Sequence, residues 1–406
     1  MDLRESSATS VYPPRYTLQF WLLCLSSLLF FASFNMLIPE LPAFLTALDG
    51  GQYKGYIISL FTFTALISRP FSGKLTDRIG RKPVIIFGGI VCMICSLLYP
   101  LLTTVFAFFA LRVIHGFSTG FTPTGQSTYV SDIIPVDRRG EAMGLLGMIG
   151  SVGMAMGPAI GGMVAREYGL NVMFYLSSFF GFIAAVIVLG MKETLPARSR
   201  FKVSMLKIDR HDLFEPRVVL PCIVMGLAYY AYGAMLTLIP DFGEHVGIYR
   251  KELLFTYYTI ASILIRVIGG KASDRYGRVP VLVTSTAVVM VSMLMIAVAE
   301  TQSLLIAGMI LYGLGGGSVS PTLLAWATDL SEERHRGRAL ASLYIFMELG
   351  IGVGAFVSGW FYRPHMSGWS GFFMPFAISS ALAGVAFITL LLKPLMGRSH
   401  GSNRSH

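Results

Sequence analysis

Apolar runs, each closed by charges or by Gly/Pro clusters, follow one another along almost the whole chain. They fall at 17–39, 53–75, 83–104, 105–130, 142–165, 169–191, 217–240, 253–272, 279–299, 302–327, 338–361 and 371–395. A helix needs about 20 apolar residues to cross a bilayer, so the pattern predicts twelve membrane-spanning helices with short connections. The longest polar stretch, 192–216, divides them into six and six. It carries Lys192, Arg198, Arg200, Lys202, Lys207 and Arg210 and reads as a linker at the membrane surface. The predicted organisation is an N-terminal segment (1–16), a six-helix bundle (17–191), the linker (192–216), a second six-helix bundle (217–395) and a tail (396–406). The expected fold class is all-α and integral to the membrane.

Composition agrees. Of 406 residues, 54% are apolar and 13% charged, against about a quarter charged in a soluble domain. That excludes a soluble enzyme, a disordered scaffold and a secreted disulfide module. Cys24, Cys92, Cys95 and Cys222 all lie inside apolar runs, and a Cys-x-x-Cys on one turn of an apolar helix is a poor redox or metal site. No metal or disulfide is expected. The net charge of +10 raises nucleic acid as a partner, but its distribution points elsewhere. With the N-terminus in the cytoplasm, 24 of the 32 Lys and Arg residues fall on the cytoplasmic side. Only Lys54, Arg166, Arg250, Lys251 and Arg363 fall in outer loops, and Arg69, Arg112 and Arg266 lie within spans. The positive-inside rule then places both termini in the cytoplasm. Residues 1–16 lack the apolar core and cleavage site of a signal peptide, so the first span is expected to be retained. The short loops suggest a bacterial inner membrane.

The two halves repeat. Residues 69–84, RPFSGKLTDRIGRKPV, align without gaps on 266–281, RVIGGKASDRYGRVPV, with nine of sixteen positions identical at an offset of 197. The same offset carries Gly116 to Gly313, Gly120 to Gly317, Asp132 to Asp329, Arg139 to Arg336 and Gly140 to Gly337. Leu37-Ile38-Pro39-Glu40 recurs as Leu238-Ile239-Pro240-Asp241 at an offset of 201. Both copies start on the same side of the membrane, so the repeat is parallel.

With these motifs the whole chain resembles a major facilitator superfamily transporter. The family's loop signature between spans 2 and 3 stands as Gly73-Lys74-Leu75-Thr76-Asp77-Arg78-Ile79-Gly80-Arg81-Lys82, with a second copy at Gly270-Lys271-Ala272-Ser273-Asp274-Arg275-Tyr276-Gly277-Arg278. Span 5 carries Gly144, Gly153 and Gly157-Pro158-Ala159-Ile160-Gly161-Gly162, similar to the antiporter motif of the drug:proton exchangers. Small residues at such spacing also let any two membrane helices approach closely. The resemblance implies two pseudo-symmetric bundles that alternate access to a central site, and a place for span 2 against span 11. Asp77 would then meet the start of span 11 near Gly337, where unpaired amides and the helix dipole favour a carboxylate. Asp274 would meet the start of span 5 near Gly140, and Arg81 and Arg278 would pair with Asp132 and Asp329. With Arg78, Gly80 and Arg275, these form the expected conformational switch. Arg69 and Arg266, one turn deeper, are expected to snorkel to the cytoplasmic surface.

An ionisable residue at membrane depth is a functional candidate. Glu348 is the one carboxylate well inside a span, about 15 Å along the helix from Arg338; its repeat counterpart is Ser151. It reads as the proton or cation site. Arg112, whose counterpart is Met309, lies where the family often has an arginine implicated in proton coupling. Arg112, His115, Thr119 and Gln126 share a helical face within about 60° of one another and are expected to line the central cavity. The family's commonest acidic site in span 1 is replaced by Asn35. Glu40 and Asp241 end spans 1 and 7 on the outer side as proton sites, gates or solvated ends. Phe30, Phe34, Tyr229, Tyr230 and Tyr232 are candidate cavity-lining aromatics, joined by Tyr257 and Tyr258. Gly116-Phe117-Ser118-Thr119-Gly120 matches Gly-x-Ser-x-Gly but sits inside a membrane helix, not at a strand–turn–helix, so no hydrolase is implied.

The expected function is proton-coupled export of a small amphipathic compound, with the proton gradient as energy source and no cofactor or catalytic residue. Its partners would be that substrate, protons and the bilayer, not nucleic acid, and it would work as a monomer. A nutrient symporter or facilitator, or a lipid translocator or receptor of the same fold, is the alternative.

Overall fold

In the computed structural model, residues 16–50, 53, 56–207, 214–248, 252–361 and 370–399 are described. Among them are twelve long helices and no strand: α1 (Leu18–Leu37), α2 (Tyr56–Arg78), α3 (Arg81–Leu98), α4 (Val105–Ile133), α5 (Arg139–Tyr168), α6 (Leu170–Leu189), α7 (Val219–His245), α8 (Glu252–Tyr276), α9 (Arg278–Ala297), α10 (Gln302–Leu330), α11 (Arg336–Phe361) and α12 (Ser370–Ser399). Eleven are long and apolar enough to cross a membrane. The twelfth, α2, is as long but more polar, because Arg69, Lys74, Asp77 and Arg78 all lie in it. Lys54, Arg210, Arg250, Lys251 and Arg363, the segment 1–15 and the last residues of the tail lie outside the described residues.

Local chemistry starts and stops these helices in the same way in both halves. Thr104 caps α4, accepting from the Ala107 amide at 3.2 Å, and Thr301 caps α10 by accepting from Leu304 at 3.3 Å. Each hydroxyl satisfies one of the four orphan donors of a helix start. Between α2 and α3 the chain turns at Gly80 with φ +115°, and between α8 and α9 at Gly277 with φ +92°, a region that side-chain-bearing residues avoid.

Helices α1–α6 form one bundle and α7–α12 the other. Glycines set the closest approaches. A Cβ at Gly153, Gly157 or Gly161 would stand 2.4–2.6 Å from α1 atoms, and one at Gly350 or Gly354 would stand 2.1–2.3 Å from α7 backbone. Across the bundles, α2 packs on α11 and α5 on α8. The apolar interior is asymmetric along the bundle axis. At the end bearing the two loop motifs, here the basic end, one continuous core runs through both bundles, from Phe20, Val130, Met143 and Leu146 to Met225, Leu323 and Leu340. Towards the opposite end the cores separate. One holds Met36, Leu41, Tyr99, Phe108 and Phe174; the other holds Met235, Phe242, Ile296 and Phe372. The bundles are joined at the basic end and hold separate cores at the other.

Candidate functional site

The seam at the basic end is built twice. Asp77, at the end of α2, accepts from the Gly337 amide at 2.7 Å and the Arg338 amide at 2.9 Å. Asp274, at the end of α8, accepts from Gly140 and Glu141, both at 2.8 Å. Each carboxylate thus satisfies the first free amides of a helix in the other bundle, where the helix dipole is positive. Glycine makes the approach geometrically possible. A Cβ on Gly73 would stand 2.7 Å from the Ala341 Cβ, and one on Gly270 2.3 Å from the Gly140 oxygen.

Four arginines then bind two aspartates. Arg81 Nε and Arg336 reach Asp132 at 2.8 Å each. Arg278 Nε and Arg139 reach Asp329 at 2.9 Å each. One arginine in each trio belongs to the other bundle's side of the seam, and sequence reasoning missed both Arg139 and Arg336 as members, although their repeat spacing marked them. Arg78 and Arg275 are exposed and stand outside these networks; the Arg275 guanidinium lies over the Tyr276 ring. The first half has an addition that the repeat lacks. Glu193, from the linker, accepts from the Arg81 and Lys82 amides at 3.0 and 3.1 Å, filling the space beside Gly80. Between α10 and α11, burial and the neighbouring Arg338 and Arg334 charges push His335 below its usual pKa, against Glu215 and Glu332.

Deeper in, Arg69 departs from expectation. It does not snorkel; it is 2% exposed, and its guanidinium meets Glu348 of the other bundle at 3.3 Å. It also donates to the Gly120 carbonyl at 3.3 Å and Thr124 Oγ1 at 3.2 Å and lies 4.4 Å over the Tyr344 ring. Tyr344 OH in turn shares a 2.8 Å hydrogen bond with Ser127. Sequence reasoning singled out Glu348 and missed its partner. The signal was available: a buried carboxylate needs a counter-charge, and the Asp77–Gly337 contact puts Arg69 and Glu348 at similar heights on facing helices.

Other expected lining residues face elsewhere. Arg112 is buried inside the first bundle, donating from Nε to the Ile57 carbonyl at 3.0 Å and lying 4.5 Å over Phe61. His115 is fully buried between Tyr99 OH and Cys92 Sγ, 3.4 Å from each. The stripe with Thr119 and Gln126 therefore does not present Arg112 and His115 to the cavity; the polar groups of α2 and α3 attract them inward. Thr119 bonds its own helix at Gly116, and Gln126 is 1% exposed. Phe30 and Phe34 belong to an apolar core with Phe61, Cys92 and Ala184. They are packing residues, not lining ones. Asn35 is buried and donates to the Phe31 carbonyl at 2.8 Å. Tyr230 packs toward α11, its backbone beside Gly354. Glu40 is half-buried near Gly162, and Asp241 is exposed. In the second bundle, rings of Tyr229, Tyr232, Tyr258 and Tyr312 form a chain with centroid spacings of 6.0, 5.9 and 5.1 Å.

The glycines of the span 5 run divide their work. Gly153, Gly157 and Gly161 seat α5 on α1, Gly144 lies against the Arg266 carbonyl of α8, and a Cβ on Gly162 would make only an ordinary 3.8 Å contact with the Glu40 carboxylate. Pro158 is half-buried beside Gly157. Gly350 and Gly354 repeat the close contact between α11 and α7, so close approach is the part this run plays in the fold.

A sequence profile described as Major Facilitator Superfamily matches residues 23–249 and 222–405. Multidrug resistance protein 2 of Bacillus subtilis is 29% identical over 262 residues, 61% of this chain and 64% of that protein. Multi-drug resistance efflux pump PmrA of Streptococcus pneumoniae is 26% identical over 339 residues, covering 80% of this chain and 84% of the pump. Among solved structures, the human organic anion transporter MFSD10 superposes with a TM-score of 0.74 at 18% identity, covering 92% of this chain and 100% of that one. The proton:xylose symporter XylE gives 0.75 at 12% identity, covering 92% and 94%. At those identities the likeness is one of fold.

Proposed function

Because this chain belongs to the Major Facilitator Superfamily, we propose that it exports small amphipathic compounds from the cytoplasm across a bacterial inner membrane in exchange for protons. The observation that carries the reading is the buried Arg69–Glu348 pair, which joins α2 of one bundle to α11 of the other at membrane depth. The positive-inside rule makes the basic end cytoplasmic, so this structure is closed toward the cytoplasm. A proton reaching Glu348 from outside removes the carboxylate charge and with it the attraction to Arg69. The deep tie between the bundles is then lost. The contacts at the cytoplasmic end, Asp77 and Asp274 with the facing helix starts and Asp132 and Asp329 with their arginines, then hold the seam without the deep tie, and the seam opens. Release of the proton inside restores the carboxylate, and re-formation of the pair with substrate aboard closes the seam again.

The relatives' names, a multidrug resistance protein and a multidrug efflux pump, support export over uptake. The test is substrate-triggered proton movement in proteoliposomes carrying an internal pH dye, with wild type beside Glu348→Gln. The wild type is expected to move protons with substrate and the variant to lose that movement. Substrate flux with no accompanying proton movement in the wild type would instead mark a facilitator and end the exchange reading.

A further inference from the structure

The two halves treat equivalent arginines differently. Arg69 has three partners besides a backbone carbonyl: Thr124, Tyr344 and Glu348. Its repeat mate is Arg266. At the repeat offset, Thr124 becomes Pro321, Tyr344 becomes Gly147 and Glu348 becomes Ser151. None of the three side chains that satisfy Arg69 has an equivalent at the repeat position around Arg266. The consequences are visible. No carboxylate among the described residues lies in ion-pair range of Arg266; the Nε of both arginines is without an acceptor, so the missing carboxylate is what sets Arg266 apart. Its guanidinium rests beside Gly147, close enough that a Cβ there would stand 2.8 Å from it. The Ser151 hydroxyl is turned to the Gly147 carbonyl of its own helix at 2.9 Å. With Gly for Tyr and Ser for Glu, the side chains beside Arg266 are smaller than those around Arg69.

Tyrosines lie within electrostatic reach of Arg266. The Arg266 charge acts on the hydroxyls of Tyr232, Tyr258 and Tyr344. The corresponding positions in the first half are Phe31, Phe61 and His115 for Tyr232, Tyr258 and Tyr312, so the hydroxyl-bearing wall is a specialisation of the second bundle. A planar guanidinium binds carboxylates in a two-pronged fashion, and Arg266 is half-buried without a counter-charge among the described residues, so an anion that reaches it gains a partly desolvated partner. Aromatic faces beside it offer stacking to a ring.

We infer that Arg266 and the partly exposed Tyr232–Tyr258 pair, backed by Tyr312, recognise the carboxylate and ring of an aromatic anion, which names the substrate class of the transport site proposed above and rests on that reading. A bound anion pairs Arg266 as Glu348 pairs Arg69. Both seam arginines are then compensated when the cytoplasmic end closes, the charge state that the outward-moving limb of exchange requires.

Equilibrium binding to the purified full chain in lipid nanodiscs tests this without flux. The probes are 2-naphthoate, the neutral 2-naphthalenemethanol and the cationic 2-naphthylmethylammonium, followed by their fluorescence. Naphthoate is expected to bind at least tenfold tighter than either analogue. Arg266→Gln should lose at least tenfold of that affinity, and Arg266→Lys should fall between. Ser151→Glu, which supplies the missing carboxylate, should also abolish naphthoate binding; thermal melts show that each variant is folded. Absence of naphthoate binding, equal binding of the alcohol or ammonium, or undiminished binding by folded Arg266→Gln would each overturn the assignment. A protein that binds naphthoate through Arg266 yet moves no protons keeps this site and loses only the exchange mechanism.

Discussion

A carboxylate at the depth of Glu348 is tolerated because Arg69 Nη2 meets it at 3.3 Å, while Gly120 and Thr124 accept from the guanidinium's Nη1. Removing one member of such a pair strands the other, typically at a cost of about 3–5 kcal/mol, whereas removing both is close to neutral. Glu348→Gln and Arg69→Gln are each expected to lower the thermal stability of the purified protein. The double substitution should recover most of the loss, so that a double-mutant cycle gives a coupling well above about 0.5 kcal/mol. Additive losses would show that the two side chains act independently. The pair also marks how far single residues were legible. Glu348 stands out in a sequence with few charges in its spans, because an unpaired charge there is expensive. Arg69 did not, because an arginine one turn from the membrane surface can reach water, and only the burial of α2 against α4 and α11 denies it that route. Arg112 and His115 misled for the opposite reason. Sharing a helical face says which residues lie together, but not whether that face meets the cavity or the neighbouring helices.

Between helices, legibility came from duplication. The Asp77 and Asp274 contacts follow from a carboxylate at one helix end and glycine at the start of another, repeated at the same offset. The Glu193 cap on α3 was not readable, since the linker has no second copy to compare and its path over the bundle is set by tertiary packing. The seams also make a prediction of their own. Asp77 spends both oxygens on α11 amides, so Asp77→Asn retains one acceptor and loses the charge that the helix start favours. Gly270→Val acts on the other seam by bulk, because its first carbon would already stand 2.3 Å from the Gly140 oxygen. Both variants are expected to reach the membrane at wild-type levels and to lose at least tenfold in transport rate in proteoliposomes. Wild-type rates in both would mean that neither seam governs the cycle.

At the scale of the whole molecule, the decisive feature is that one apolar core crosses both bundles at the basic end while separate cores fill the opposite ends. The twelve-helix pattern and the repeat made the two bundles legible, but no periodicity in a single sequence reports which end of the pair is closed. That depends on the balance between the basic-end contacts and whatever holds the other end, and Glu348 is the titratable group that joins the bundles in the middle. Acidification should therefore shift the balance. Spin labels at Asp137→Cys and Tyr276→Cys straddle the basic end, and labels at Ala47→Cys and His245→Cys straddle the opposite end; all four sites are exposed. The native cysteines are buried, so labelling falls on the introduced ones. Lowering the pH is expected to lengthen the 137–276 distance and shorten the 47–245 distance, as the carboxylate that binds Arg69 is neutralised. Glu348→Gln should hold the acid-type distribution at neutral pH, because it mimics the protonated side chain permanently. Distances that ignore both pH and the substitution would place the proton's point of action somewhere other than Glu348, and would leave the Arg69 pair as a structural tie between two bundles driven from elsewhere.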